Sequence, residues 1–356
     1  MTSLTDLTDL REVVDVVIGV DTHVHTHSAA AVDARTGGVL GEVTVEATAD
    51  GYTQLAAFAE EHAMLRAWAI EGTGGHGAGL ARHLARRDEL VVELDRPERA
   101  RRRNGAKSDP LDAIRAAREA LSRARLGTPR GGGDRQALSV LLAARRSAVE
   151  AGTDAQRQLF SLVIAAPEPV RARFRGLKLP AMLRTAAALR VHPSWDTETT
   201  VTVTTLRSLA RRARALSQEA AGHEKTILGI VRSWRPDLLA QPGIGPIVAA
   251  TVLCAWSHPG RIHSEAAFAM LAGAAPIPAN SGQVTTRYRL NRYGDRQLNR
   301  ALNTIALSRI RYDQATRDYV ARRTTEGKTS REIKRCLKRY IAREIFRTLE
   351  HPPATT

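Results

Sequence analysis

Cysteine is almost missing: Cys254 and Cys336 are the only two in 356 residues. With no CxxC and no Cys/His spacing, they can build neither a disulfide framework nor a zinc site. Long apolar runs are missing too. The longest, Pro246 to Trp256, is too short to span a bilayer. The N-terminal stretch MTSLTDLTDLREVVD is polar and acidic, where a secretory signal needs a basic start and an apolar core. These absences exclude the membrane-spanning and disulfide-stapled classes and point to a reducing cytoplasm. Acidic residues are in deficit, 37 against 53 Lys+Arg, for a net charge of +16 and a pI of about 10.8. Such a chain wants a polyanionic partner, nucleic acid before all others. A basic pI alone also fits ribosomal and membrane-surface proteins.

What is present is apolar material for sizeable cores, 43% of residues, over a length that suggests two or three domains. Residues 14–126 alternate strands and helices. Strands are predicted at Val16–Val20, Ala29–Val32, Val39–Val45, Ala67–Ile70 and Leu90–Leu94, with Thr36-Gly37-Gly38 as a turn. Helices are predicted at Gly51–His62, Gly79–Arg87 and Pro110–Ser122. The order βββαβαβα is that of an α/β RNase H-like (RuvC-like) fold. Gly127 to Gly133 reads as a linker.

Long helices follow in 134–237. Leu206, Leu209, Ala213, Leu216, Ala220, His223, Ile227 and Ile230 recur at 3-4 spacing, the pattern of a coiled-coil seam. The partner across it is either another protomer or a helix of the same chain. A third, mainly α region, 238–350, opens with Gln241-Pro-Gly-Ile-Gly-Pro246. That stretch resembles a helix-hairpin-helix turn, which can offer backbone N–H groups to phosphates, and is also compatible with a plain glycine C-cap. Residues 287–347 hold 18 Lys+Arg and 6 Asp+Glu, interleaved with Tyr288, Tyr293, Tyr312, Tyr319 and Tyr340. Basic residues among aromatics suit nucleic-acid contact.

Four carboxylates occupy telling places. Asp21 closes the first strand and Glu71 a later one, the latter just before Thr73-Gly74-Gly75. Asp109 and Asp112 sit three apart at the start of a helix, so both project from one side of its first turn. Each alone has an ordinary reading: Asp109 before Pro110 as a helix cap, Asp112 as a capping-box acid, Asp21 as a turn residue. Together they would repel one another and so imply cations. Oxygen ligands suit Mg²⁺ or Mn²⁺, and two such ions can clamp a phosphate undergoing displacement. His23, His25, His27 and His76 lie nearby in sequence and can tune such a site without being ligands.

Gly19-Val-Asp21-Thr-His23, Glu71-Gly-Thr-Gly74 and Lys107-Ser-Asp109-Pro-Leu-Asp112-Ala resemble the DEDD motifs of the IS-one-ten family of insertion-sequence transposases. In the C-terminal half, Pro242-Gly-Ile-Gly-Pro246, Ala275-Pro-Ile-Pro-Ala-Asn-Ser281-Gly282 and Gly294-Asp-Arg-Gln-Leu-Asn-Arg-Ala-Leu302 are similar to the family's second domain in order and spacing. The resemblance covers about residues 14–350. It implies three parts: an RNase H-like DEDD domain (14–126), a helical coiled-coil connection (134–237) and a transposase domain bearing a catalytic serine (238–350).

It also implies metal ligation by Asp21, Glu71, Asp109 and Asp112, and a nucleophilic Ser281. The partners it implies are double-stranded donor and target DNA, a non-coding bridge RNA as guide, and further copies of the chain, as a dimer or dimer of dimers. The protein would be cytoplasmic and nucleoid-associated when bound to DNA. Val24 departs from the pattern, since members often carry a lysine there. On residues alone, Asn280-Ser281-Gly282 is also an ordinary turn. Two other readings stay open: a metal-dependent junction nuclease that needs no serine, and a basic RNA-binding scaffold without activity.

Overall fold

The computed structural model describes residues 9–94, 109–278, 288–291 and 294–351. The chain forms two compact units. One is Met1–Gly132 together with Trp256–Ala267, and the other is Gly133–Ala255 together with Phe268–Thr356.

The first unit is built on five strands: β1 (Val16–Thr22), β2 (Thr26–Asp33), β3 (Val39–Glu46), β4 (Arg66–Glu71) and β5 (Leu90–Leu94). Its helices are α1 (Ala49–His62), α2 (Ala78–Ala85) and α3 (Asp109–Ser122). The sheet order is β3-β2-β1-β4-β5. β1, β2 and β3 pair antiparallel, while β1–β4 and β4–β5 are parallel. This mixed sheet, with helices following it, is compatible with the RNase H-like expectation. β1 is central, and Val16 to Val20 is buried throughout, as expected of a strand covered on both faces. Alternate residues serve opposite cores. Val17, Val32, Ala67, Ala69 and Val92 face Ala117 and Leu121 of α3. Ile18, Val20, Ala29, Trp68 and Ile70 face Leu55 of α1 and Leu80 and Leu84 of α2. At the far end of β4, Glu89 accepts from Arg66 Nε and Trp68 Nε1, each at 3.0 Å. Burial pushes its carboxyl up, but these partners outweigh it and hold the pKa below the usual value.

β2 runs Thr26–Asp33, longer than the apolar stretch Ala29–Val32 suggests. Of the added residues, His27 and Ser28 are polar and buried. Ser28 shares a 2.9 Å hydrogen bond with the Thr44 hydroxyl, and His27 stacks on Tyr52 with ring centroids 5.6 Å apart. Burial lowers the His27 pKa, opposed in part by the Thr26 carbonyl. A hairpin turn follows, in which Asp33 Oδ1 accepts from the Arg35 and Thr36 backbones and the Thr36 hydroxyl. Gly37 supplies the left-handed residue, φ 70°.

The second unit begins with a helical hairpin. α4 (Gly133–Ala165) and α7 (Thr197–Trp234) pack along each other, and α5 (Glu168–Arg171) and α6 (Leu179–Ala188) close the far end. Arg145 Nε donates to Glu224 at 3.1 Å, and Gly152 faces Leu216, so the two helices run antiparallel. Val203, Leu206, Ala210, Ala213, Ala220, Ile227 and Val231 of α7 are buried, as are Leu138, Ala148, Gly152, Ala155, Leu159 and Val163 of α4. The seam read from Leu206 to Ile230 thus packs within the chain. Of the partners left open by the sequence, the helix of the same chain is the one it meets.

Beyond the hairpin come α8 (Pro236–Leu239), α9 (Pro246–Trp256), α10 (Glu265–Leu271), β6 (Pro276–Pro278), β7 (Tyr288–Leu290), α11 (Arg296–Tyr312), α12 (Gln314–Thr325) and α13 (Ser330–Glu350). Asp295 and Asp313 cap α11 and α12, and Thr329 with Glu332 forms a capping box on α13. The Gln241–Pro246 turn rests on α11 and α13. Arg309 Nε donates to the Pro242 carbonyl at 2.9 Å and Gln241 to the Thr348 hydroxyl at 2.9 Å. Gly243, φ 81°, lies so close to α11 that a Cβ would come 3.1 Å from Ser308. That glycine serves packing. Among the described residues no helix is long and apolar enough to cross a membrane.

Candidate metal centre

Gly19 explains how Asp21 and the start of α3 come together. A Cβ at Gly19 would sit 2.0 Å from the Ala113 carbonyl oxygen and 2.6 Å from the Ala117 nitrogen. Only glycine lets the backbones of β1 and α3 touch there. Asp21 lies two residues beyond Gly19, and Asp112 immediately precedes Ala113. The close approach therefore lays the first turn of α3 beside the end of β1. Glu71 is brought alongside by the sheet: Val20 pairs with Ile70 in parallel register, and the Thr22 hydroxyl donates to the Glu71 carbonyl at 3.2 Å.

His23 joins this group. Its Nε2 is 3.2 Å from Asp21 Oδ2 and 3.5 Å from Asp109 Oδ1. One ligand atom each from Asp21, His23 and Asp109 lies within 4.8 Å of the others. Glu71 closes β4 and Asp112 lies in the first turn of α3, but their ligand atoms do not join that tight set. Asp112 Oδ1 instead accepts from Arg115 at 2.7 Å. Burial raises the Asp21 pKa; the neighbouring His23 pulls it down, and the charges of Asp112 and Asp109 push it up. Burial is the largest of these effects, and the neighbouring carboxylates add to it. The donor set, chiefly carboxylate oxygens with one imidazole nitrogen, fits Mn²⁺ or Mg²⁺. The residues expected to gather are thus in place at Asp21 and Asp109, adjacent at Glu71 and Asp112, and supplemented by His23. The signal for His23 was its position two residues after Asp21, just past the end of β1. His25 and His76 are exposed, and His27 is buried in its stack with Tyr52. Val24 is 62% exposed.

The loop after Glu71 is held from two directions. The Thr73 hydroxyl donates to Glu93 Oε1 at 2.7 Å, and Arg261 lies 3.8 Å from Glu93 Oε2. Arg261 belongs to Trp256–Ala267, the segment that joins the first unit. Gly131 N donates to Ser257 Oγ at 2.8 Å, and Thr128 Oγ1 is 3.3 Å from His258 Nε2. Ser257 takes a left-handed φ of 82°, unusual for a residue with a side chain. No local sequence signal marks the contacts of Ser257, His258 and Arg261, because they join residues more than a hundred positions apart.

Ser281 lies outside the described residues. Its neighbours on either side are placed: β6 and β7 form a two-stranded antiparallel hairpin with Pro276 opposite Leu290 and Pro278 opposite Tyr288, and residues 279–287 connect them. At the base of this region Gly294 meets Gly273 so closely that a Cβ would lie 2.4 Å from the Gly273 nitrogen.

A five-stranded mixed sheet with carboxylates at the end of β1 and the start of α3 is compatible with an RNase H-like α/β domain. A family model for the IS110-type DEDD transposase matches residues 18–165, and one described as transposase of the IS116/IS110/IS902 family matches 237–321. Two curated relatives agree. The insertion element IS900 uncharacterized 42 kDa protein of Mycobacterium paratuberculosis is 32% identical over 161 residues, 43% of this chain and 40% of that protein. The insertion element IS110 uncharacterized 43.6 kDa protein of Streptomyces coelicolor is 31% identical over 124 residues, 34% of this chain and 31% of that protein. The matched stretches thus span well under half of those relatives. The chain belongs to the IS110 family of transposases, the family its motifs resemble.

Proposed function

We propose that this protein is an RNA-guided DNA recombinase of an insertion sequence, which cuts and rejoins DNA through Ser281 beside a two-metal carboxylate site. The observation that carries the reading is the convergence of Asp21, His23 and Asp109 at the end of the central strand, in a domain that matches the DEDD transposase model. Asp21 and Asp109, with Glu71 and Asp112 close by, would hold Mg²⁺ or Mn²⁺. Such ions polarise a scissile phosphate and lower the pKa of an attacking hydroxyl. Ser281 Oγ would attack the phosphorus and lose its proton, and the leaving deoxyribose oxygen would gain one. One phosphodiester is exchanged for another, so the bond energy is kept for rejoining. The reverse attack by a different DNA hydroxyl completes the exchange and frees the serine.

The regions 14–126, 134–237 and 238–350 would divide the work as metal-bearing domain, helical connection and serine-bearing domain. Donor and target DNA and a bridge RNA are the polyanions for the +16 chain. Contact with them is supported by the C-terminal stretch. α12 buries no residue, Arg322 and Arg323 lie over the Tyr319 ring at 5.6 and 5.9 Å, and Arg311 lies over Tyr312 at 5.2 Å. Tyr312 is 71% exposed and Tyr319 half-buried, and aromatics framed by guanidinium groups are suited to stacking bases and neutralising phosphates. Assembly of several copies, acting in the cytoplasm on the nucleoid, belongs to the same proposal.

Denaturing electrophoresis of the protein incubated with DNA, Mg²⁺ and its RNA tests it. A protein–DNA adduct that vanishes in Ser281→Ala is the expected result. Cleavage without any adduct would leave a metal-dependent nuclease, and recombination without RNA would remove the guide.

A further inference from the structure

We propose a second phosphate-binding surface on α7, far along the chain from the C-terminal basic stretch. A groove of about 510 Å³ is lined by Thr204, Arg207, Ser208, Arg211, Arg212 and Ala215. These positions follow at intervals of three and four, so they form one stripe of the helix. Leu206, Ala210 and Ala213, buried in the seam with α4, lie on the opposite side of the helix. The stripe is therefore the outer face of the hairpin, and at 1.5 Å per residue it runs about 16 Å.

Its charge is one-sided. Between Glu198 and Glu219, α7 carries four arginines and no acidic residue. Residues 155–215, which include α5, α6 and the turns between them, hold 11 Lys+Arg and 3 Asp+Glu, an excess of +8. Two of the three acids are engaged elsewhere: Glu168 pairs with Arg175, and Asp196 caps α7 by accepting from Thr199. Among the described residues no ion pair neutralises Arg207, Arg211 or Arg212, and the Arg207 guanidinium reaches only the Leu189 carbonyl at 3.4 Å. Like charges at i,i+4 on a helix repel and destabilise it, which a bound polyanion reverses. Guanidinium forks match phosphate oxygens two at a time, and the Ser208 hydroxyl adds a neutral donor. The ligand chemistry is a run of backbone phosphates, and DNA and RNA both supply it. The surface needs only a nucleic-acid backbone and does not depend on the metal or serine chemistry.

The test uses the full chain with EDTA present, so that cleavage plays no part. Binding of a random-sequence DNA duplex and of a stem–loop RNA is measured across a salt series for wild type and for Arg207→Gln/Arg211→Gln/Arg212→Gln. Each phosphate contact contributes roughly 0.9 to the slope of log K against log[salt] on duplex DNA. The triple variant is expected to lose about 2–3 from that slope, and about tenfold or more in affinity at low salt. The triple lysine variant should keep the slope. A change confined to DNA or to RNA supports the surface and identifies its source. Wild-type slope and affinity for both would overturn it. Circular dichroism checks the fold. If the triple variant is unstable, the exposed single change Arg211→Gln decides the question, since it is expected to remove about one phosphate contact. A failed metal site would appear in cleavage and leave these binding curves as they are.

Discussion

The Thr73 hydroxyl donates a 2.7 Å hydrogen bond to Glu93, and this bond fastens the loop that follows Glu71 to the neighbouring strand β5. Glu93 faces Arg261 on its other oxygen, at 3.8 Å. A segment from late in the chain thereby braces the loop that carries one of the four carboxylates. Thr73 is buried, so removing its hydroxyl leaves a largely buried carboxylate short of a donor, at a cost of about 1–3 kcal/mol.

Thr73→Val and Arg261→Gln are therefore expected to act as positioning variants. Metal-dependent cleavage should fall about tenfold, which corresponds to about 1.4 kcal/mol. Divalent-metal affinity should weaken in parallel, and the global melt should fall by the few degrees that such a cost implies. Arg261→Lys should recover part of the loss. Wild-type cleavage and metal affinity in both variants would show that the brace does not reach Glu71.

Asp21 gives a pH dependence with a definite sign. Its pKa is raised, first by burial and then by Asp112 and Asp109 against the opposing effect of His23. A raised carboxylate binds its proton more tightly in the folded than in the unfolded state. Its contribution is therefore fully present below the ordinary carboxylate range and is lost as pH rises through the folded pKa. At neutral pH the metal-free protein carries that cost. Asp21→Asn is expected to raise the Tm of the metal-free protein at pH 7. The gain should shrink below pH 4 or so, where the wild-type group is neutral too. The same variant should abolish the stabilisation that Mn²⁺ gives the wild type. Differential scanning calorimetry with and without Mn²⁺ reads both effects, and a destabilised metal-free Asp21→Asn would contradict the assigned electrostatics.

Much of this architecture was legible because it is written in local patterns. Val16 to Val20 reads as a strand and is one, buried throughout. Asp21 and Glu71 end strands, and Asp109 and Asp112 start a helix. What local pattern cannot supply is which elements touch. Gly19 looks like any glycine in a strand until α3 is laid against it. The 3-4 repeat of α7 announces a seam but not its partner. The matching face of α4 relies on Ala148, Gly152 and Ala155, small residues that carry a weak hydropathy signal. His27 and Ser28 hid the first half of β2, because their polar side chains are satisfied by stacking and a hydroxyl pair. The Arg261 brace has no short-range signature at all.

The intramolecular hairpin makes its own prediction. Leu206 and Ile227 are fully buried against the same chain. Leu206→Asp should place an unpaired charge in that interface and cost about 3–5 kcal/mol or more, melting the hairpin instead of releasing folded protomers. The helical transition of the wild type should stay at the same temperature over a wide range of protein concentration. A Tm that rises with concentration, or a folded Leu206→Asp monomer, would restore the seam to a contact between chains.

The last prediction concerns where the serine acts. In the proposed mechanism Ser281 lies 169 positions after Asp112 in the sequence, so nothing local to the carboxylates supplies the nucleophile, and it comes from elsewhere in the same chain or from a partner. We propose delivery from a partner, on a chemical ground: a site shared between chains keeps a lone copy from cutting DNA, and only an assembled complex holding both substrates becomes reactive. Under that arrangement Ser281→Ala and Asp21→Asn are each inactive alone. Mixed together, they can form one site that takes its serine from the Asp21→Asn chain and its carboxylates from the Ser281→Ala chain. Random pairing then restores a fraction of wild-type cleavage, and the covalent adduct appears only on the Asp21→Asn chain, which a size tag identifies. Delivery within one chain predicts no rescue at any mixing ratio, because every site then carries its own defect. An adduct on the Ser281→Ala chain would remove the serine from the mechanism and leave hydrolysis at the carboxylates as the better account.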